Sequence, residues 1–227
     1  MYKKNYLVML VFSAMLLTQC KDDGSTPILD AIIAPKVHLT FTTENSRLLF
    51  IKAETTEDDA NPAYIDLNGN LTKDAGEELE VSKEYKISNK NVTIFGHINS
   101  LKIDNQNNLS TIEVQNRFIK ELSATSCASL TTCKILKANS LEVIDISGSE
   151  AVEVLELSSN ENYIKELCEV KMKNPTMIGT EKFKELFIDR LPSRKDKDKK
   201  GVLKIESPVF TTDLVAKVQE KGWEFNP

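Results

Sequence analysis

Along the second half of this chain, apolar side chains return at a short, regular step. The groups Ile98/Leu101/Ile103, Leu109/Ile112/Val114, Ile119/Leu122/Ala124, Leu130/Cys133/Ile135, Leu141/Ile144/Ile146, Val152/Leu155/Leu157 and Ile164/Leu167 share an L-x-x-L-x-L spacing. Their first members lie 10 to 12 residues apart, so two steps make a coil of about 22 residues. A long amphipathic helix competes with this reading. Asn105, Asn107, Asn108, Ser126, Asn139, Gly148 and Asn160 punctuate the steps, however, and these residues favour turns over helix interiors. A single coil cannot bury its own apolar side, so similar coils are expected to stack and merge their inward residues into one ladder. The fourth and sixth positions of each copy alternate with outward residues, as strands require.

The first half carries a different pattern. Val37–Thr42, Arg47–Glu54, Ala63–Leu67, Glu78–Ser82, Glu84–Ser88 and Asn91–Phe95 show period-two alternation or β-branched residues, which predicts a small antiparallel β domain over 37–96. Ahead of it, Lys3 and Lys4 precede an apolar run from Tyr6 to Leu17 and then Thr18-Gln19-Cys20, the order of an export signal over 1–19. About a dozen apolar residues are too few to span ~30 Å of hydrocarbon, which disfavours a permanent transmembrane helix. Residues 20–36 read as a tether, with Gly24, Ser25, Thr26 and Pro27 giving it reach.

Leu17-Thr18-Gln19-Cys20 resembles a bacterial lipobox, with Gln19 in place of the usual small residue, and Lys21-Asp22-Asp23 resembles the surface-export tag of Bacteroidetes lipoproteins. The resemblance implies acylation of Cys20, palmitate-type chains anchoring the protein in the outer membrane, and exposure at the cell surface. More than one acyl chain is what stable anchoring requires. Asn91-Val92-Thr93-Ile94-Phe95-Gly96, Leu141 to Ser147 and Leu155 to Asn160, together with Tyr64-Ile65-Asp66-Leu67-Asn68-Gly69-Asn70, resemble Bacteroidetes internalin-like leucine-rich-repeat surface proteins. The coil of about 22 residues falls in that repeat class. The asparagine that normally closes each coil stands clear only at Asn160. The likeness extends to a mixed cap: a helix over Met177–Arg194, a strand Gly201–Ile205, a helix Thr211–Lys221 and a strand Gly222–Phe225. The implied fold is mainly β with α: an antiparallel β domain, a short leucine-rich-repeat solenoid over 97–175 and an α/β cap over 176–227 that covers the open end.

The resemblance implies adhesion or interaction without naming a ligand. Stacked strands present a rigid row of outward side chains, either Thr111, Glu113, Thr132, Lys134, Val154 and Glu156 or the alternate set Lys102, Glu121, Ser123, Val143 and Asp145. A second candidate site is Asp66-x-Asn68-x-Asn70-x-Thr72-x-Asp74-x-x-Glu77, whose oxygens fall at positions one, three, five, seven, nine and twelve of a calcium loop. Leu71 stands where such a loop carries glycine, and no helices flank it, so a calcium site between two strands competes with an ordinary polar hairpin at Asn68-Gly69.

Charge and motif content narrow the function. With Lys3 and Lys4 removed the chain has 34 acids against 27 bases, which disfavours a grip on nucleic-acid phosphates. The run Lys195 to Lys200 alternates in sign and reads as a solvated loop. Cys127, Cys133 and Cys168 remain after Cys20, so at most one internal disulfide can form, and buried thiols are the default. The two histidines, His38 and His97, sit outside any catalytic motif. The expected function is a non-enzymatic surface lipoprotein that binds a protein partner on a host or neighbouring cell. The competing readings are an accessory glycan-binding lipoprotein, for which Phe118 and Tyr163 are the aromatic candidates, and a structural subunit of an envelope assembly.

Overall fold

The computed structural model describes residues 34–43, 47–56, 62–173, 175–207 and 210–227. The expected export signal, Cys20, Lys21-Asp22-Asp23 and most of the expected tether lie outside the described residues. Residues 34–227 form one compact unit, mainly β, built on two mixed sheets. The strands are β1 (Lys36–Phe41), β2 (Arg47–Thr55), β3 (Tyr64–Asp66), β4 (Ser82–Ile87), β5 (Asn91–Phe95), β6 (Ile98–Lys102), β7 (Leu109–Gln115), β8 (Glu121–Ser123), β9 (Thr132–Ile135), β10 (Val143–Asp145), β11 (Val154–Leu157), β12 (Glu169–Lys173), β13 (Gly201–Glu206) and β14 (Trp223–Asn226). Two helices, α1 (Glu181–Leu186) and α2 (Thr212–Glu220), lie near the C-terminus.

One sheet has six strands in the order β11-β9-β7-β1-β5-β3, the other eight in the order β14-β13-β12-β10-β8-β6-β2-β4. From β6 to β11 the chain crosses alternately between them, so each full turn gives one strand to each sheet. In the six-stranded sheet Ile112 pairs with Cys133 and Cys133 with Leu155; in the other, Leu101 pairs with Leu122 and Leu122 with Ile144, all in parallel. These residues are fully or almost fully buried, as are Ile103, Val114, Ala124, Ile135, Ile146 and Leu157 two positions on. Alternation along each strand thus turns one file inward and leaves the other facing out. The turns are built by residues that tolerate left-handed backbone: Asn105 has φ +60°, Ser126 +55° and Gly148 +74°.

β1 to β5 extend the same two sheets in antiparallel fashion. β1 lies between β5 and β7, and β2 between β4 and β6. Val37, Leu39, Leu49, Ile51, Val92 and Ile94 join the repeat residues in one continuous core. The change from antiparallel to parallel pairing therefore falls inside both sheets, at β1/β7 and β2/β6.

Two expected elements differ. Of the expected strand Glu78–Ser82 only Ser82 is strand, as the first residue of β4; ahead of it an isolated antiparallel bridge joins Tyr64 and Glu78. The Tyr85 hydroxyl donates to the Glu78 carbonyl (2.7 Å) and accepts from the Glu80 N–H (2.9 Å), so a side chain takes the backbone groups that a strand would give a neighbour. The helix expected over Met177–Arg194 shortens to α1 and a single 3₁₀ turn, Ile188–Arg190. Thr180 starts α1 by accepting from the Phe183 N–H at 3.1 Å, and Leu191-Pro192 ends the helical stretch. β13 and β14 continue the eight-stranded sheet in parallel. Gly201 is required there, because the buried Trp223 ring leaves no room for a Cβ at that position.

Candidate functional site

Four of the outward residues singled out as partner contacts stand in two adjacent files on the six-stranded sheet, and the fifth extends one of them. Thr111 lies beside Thr132 and then Val154; Glu113 lies beside Lys134 and then Glu156. The antiparallel strands lengthen both files, since Thr40 lies beside Thr111 and Asn91, and His38 beside Glu113 and Thr93. Contacts across the strands hold part of each file: His38 Nδ1 lies 2.9 Å from Thr93 Oγ1, Thr40 Oγ1 donates to Asn91 Oδ1 at 3.1 Å, and Lys134 Nζ lies 3.7 Å from Glu156. Arg190, just after α1, donates to Glu156 (3.1 Å) and to the Leu157 carbonyl (2.7 Å), which ties the last member of the file to the C-terminal segment. Burial lowers the pKa of His38, opposed by the carboxylate of Glu113, so the imidazole is held in its neutral form more firmly than in water.

The alternate set, Lys102, Glu121, Ser123, Val143 and Asp145, lies on the outward side of the other sheet, but Ser123 is buried there, its hydroxyl donating to Asp104 at 2.6 Å, so it offers no contact surface. That face is laced by ion pairs: Lys102 with Glu121 (3.1 Å), Lys171 with Asp145 (3.6 Å), Lys204 with Glu169 (2.7 Å) and Lys173 with Glu206 (2.8 Å). The hydrogen bond from Lys204 holds the Glu169 carboxyl below its ordinary pKa. The two alternating sets are thus the two outer surfaces of the molecule, not opposite faces of one sheet.

The Asp66–Glu77 loop runs from the end of β3 towards β4. Asp66 and Glu77 are buried, at 1% and 3% exposure, and no lysine or arginine among the described residues pairs with either. Their oxygens accept from the loop's own backbone: Asp66 from Gly69 (2.6 Å) and Leu71 (3.0 Å), Glu77 from Leu67 (2.8 Å) and Asp74 (2.9 Å). Leu71 takes φ +63°, the left-handed conformation that glycine ordinarily supplies. Asp74 Oδ2 accepts from the amides of Asn68 (2.7 Å) and Asn70 (2.8 Å), and Asn70 Oδ1 from Thr72. The hard oxygen donors suit calcium in kind. Among the described residues, though, no three carboxylate, histidine or cysteine side chains converge closely enough to hold an ion. A cation would have to draw Asp74 away from the two amides that now engage it.

Cys127, Cys133 and Cys168 are buried free thiols. Burial pushes the Cys133 thiol up to about 12 and Cys127 to about 11, so neither is a nucleophile at neutral pH. Phe118 meets His97 at 3.8 Å between ring centroids, with the Arg117 guanidinium 4.7 Å from the Phe118 ring. The repeat spacing could have revealed this pair, because His97 and Phe118 each precede the first apolar residue of a copy. Leu48 and Phe50 on β2 are exposed at 60% and 38%, facing out of the eight-stranded sheet. The signal for them was the unbroken run Leu48-Leu49-Phe50-Ile51, which gives a strand apolar side chains on both faces. No helix of the described residues is long and apolar enough to cross a membrane.

Comparison with known proteins gives no match: no family model, no curated relative and no solved structure is similar to the chain.

Proposed function

We propose that this chain is a non-enzymatic, lipid-anchored surface protein that binds a protein partner through the outer face of its six-stranded sheet. The observation that carries this reading is the pair of adjacent files, Thr111/Thr132 and Glu113/Lys134/Glu156, held in register over one buried core. A surface whose side chains are already held by cross-strand contacts loses little rotamer entropy on binding, which favours specific recognition. The coil length and the stacked strands support a leucine-rich-repeat solenoid as the architecture. The export signal, Cys20 and Lys21-Asp22-Asp23 support anchoring at the cell surface, and replacing Lys21-Asp22-Asp23 by alanines should protect the chain from protease added to intact cells. If both forms are protected, the site is inside the envelope and surface adhesion is excluded.

Binding is tested by measuring attachment of the purified chain to target cells before and after trypsin treatment, and again with Lys134→Glu. Attachment that trypsin abolishes and Lys134→Glu weakens fits a protein ligand at this face. Attachment that resists trypsin but is lost after periodate oxidation of surface sugars points to the second reading, a glycan ligand, which the aromatic pair His97/Phe118 with Arg117 favours. Calcium at the Asp66–Glu77 loop is part of the proposal on one ground: two buried carboxylates lack a cationic neighbour, and a divalent ion would compensate them.

A further inference from the structure

The four sheet edges are treated unequally. β11 is met by α1, with the Leu157 carbonyl taken by Arg190 and the Val152 carbonyl by the Met177 N–H. β14 is packed by α2. β3 is bordered by the following segment, through Ile65 N–H to the Glu77 carbonyl (2.8 Å) and Leu79 N–H to the Ala63 carbonyl (3.3 Å). β4 pairs with β2 on one side, and among the described residues no element borders its other side. An edge left this way presents a row of backbone donors and acceptors to any second strand.

The side chains along β4 give that edge a self-complementary pattern. Ser82, Glu84 and Lys86 face outward, while Tyr85 and Ile87 are buried beneath. On β6 to β13 of this outer face several charges are paired across strands, yet among the described residues neither Glu84 nor Lys86 has an ion-pair partner. Lys83 is already satisfied by Glu80 at 2.6 Å and adds no loose charge to the edge. Next to Lys86 and Glu84 on β2 stand Leu48 and Phe50, two of the three large apolar side chains exposed among the described residues; the third, Val81, immediately precedes β4.

We infer that β4 is a dimerisation edge, whose occupant is β4 of a second copy of this chain, running antiparallel about a twofold axis at Tyr85. In that register Glu84 of each copy lies opposite Lys86 of the other, so the cross-strand ion pairs continue through the axis and form twice by symmetry. Across the joint the outward file reads Phe50, Glu84, then Lys86 and Leu48 of the second copy. Adjacent strands lie about 4.8 Å apart, so the aliphatic stem of each lysine covers the exposed Leu48 of its own copy while its ammonium meets Glu84 of the other. The eight-stranded sheet becomes one continuous sheet through two molecules, and the outer face of the six-stranded sheet stays free in both.

The test uses two differently tagged full-length copies, co-expressed, extracted in non-ionic detergent and recovered through one tag. The wild-type chain should bring its partner copy with it. Glu84→Lys in both copies sets lysine against lysine twice and should lower recovery at least about tenfold. Glu84→Lys combined with Lys86→Glu restores opposite charges across the axis and should return recovery to near the wild-type level. The double reversal also guards against misfolding, since a chain damaged by Glu84→Lys would not be rescued by a second surface change. Absence of self-recovery in the wild type overturns the proposal, whether the edge is bare or taken by a different protein. Recovery that is equal in all three forms, or lost equally in the single and double variants, overturns it as well.

Discussion

Within the six-stranded sheet, β7, β9 and β11 repeat one another at offsets of 21 and 22 residues, whereas β1 joins partners as distant as Gln115, 79 residues from Lys36. Both halves end with the same kind of inward file, and both feed one core. The difference lies in how each strand finds its place. A parallel rung is specified by the coil before it, so its register is inherited along the chain. An antiparallel strand such as β1 has no such neighbour, and its register rests on its own alternation. The repeat half is thereby tolerant of variation in any one rung, while the antiparallel half concentrates its specification in a few pairings.

Core truncation on both sides of the junction is the severest test of this comparison. Phe41→Ala, at the end of β1, should cost about 3–5 kcal/mol and Leu155→Ala, in the last rung of the six-stranded sheet, about 2–5 kcal/mol, read by urea unfolding. If the core is continuous, each variant still unfolds in a single transition. Two resolved transitions would separate the halves. Asp66→Ala strands the N–H groups of Gly69 and Leu71 and should cost about 1–3 kcal/mol. The melting temperature of the wild type in millimolar calcium sharpens this result. A rise that Asp66→Ala removes supports the cation, and no rise leaves the loop as a turn closed by its own donors.

Smaller effects belong to the ends and faces. Thr180→Ala removes the cap of α1 and should cost about 1 kcal/mol, since the helix is short and its first turn has few other acceptors. Lys134→Ala should change stability by about 0.2–1 kcal/mol, the ordinary scale for a surface ion pair, so a loss of attachment in that variant would reflect recognition and not folding. A last, smaller test is pH. His38 has a lowered pKa in the fold, so the unfolded chain binds the extra proton first, and this stability is present above the unfolded value of 6.5 and lost as pH falls below it. His38→Gln should flatten that part of the pH profile.

The same contrast explains how much was legible in the sequence. The inward file from Ile98 to Leu157 could be read because every copy repeats the same apolar spacing. The outward residues could be named as two alternating sets, but their relation could not: successive half-coils look alike in sequence, yet each crosses to the opposite sheet. Lys134 and Asp145 therefore point away from each other across the core. Glu78–Ser82 alternates well enough to look like a strand, and only the hydroxyl of Tyr85, placed by β4, diverts its backbone. The helix observed is shorter than the sequence predicts because Phe183, Leu186, Phe187 and Leu191 keep helical spacing, although Phe187 and Leu191 are buried from the two ends of a 3₁₀ turn and not from a continued α-helix. The edge at β4, which no element borders among the described residues, was not legible, because an edge is defined by what does not pair with it.

The alternate crossing between sheets also makes molecular length a countable quantity. One full coil, such as Leu130 to Ala151, carries one rung for each sheet and takes its register only from the coils before and after it. Duplicating it would lengthen the molecule by one strand spacing, about 4.8 Å, and leave both ends chemically as they are. Size in this architecture can change in whole steps, like links added to a chain between fixed clasps.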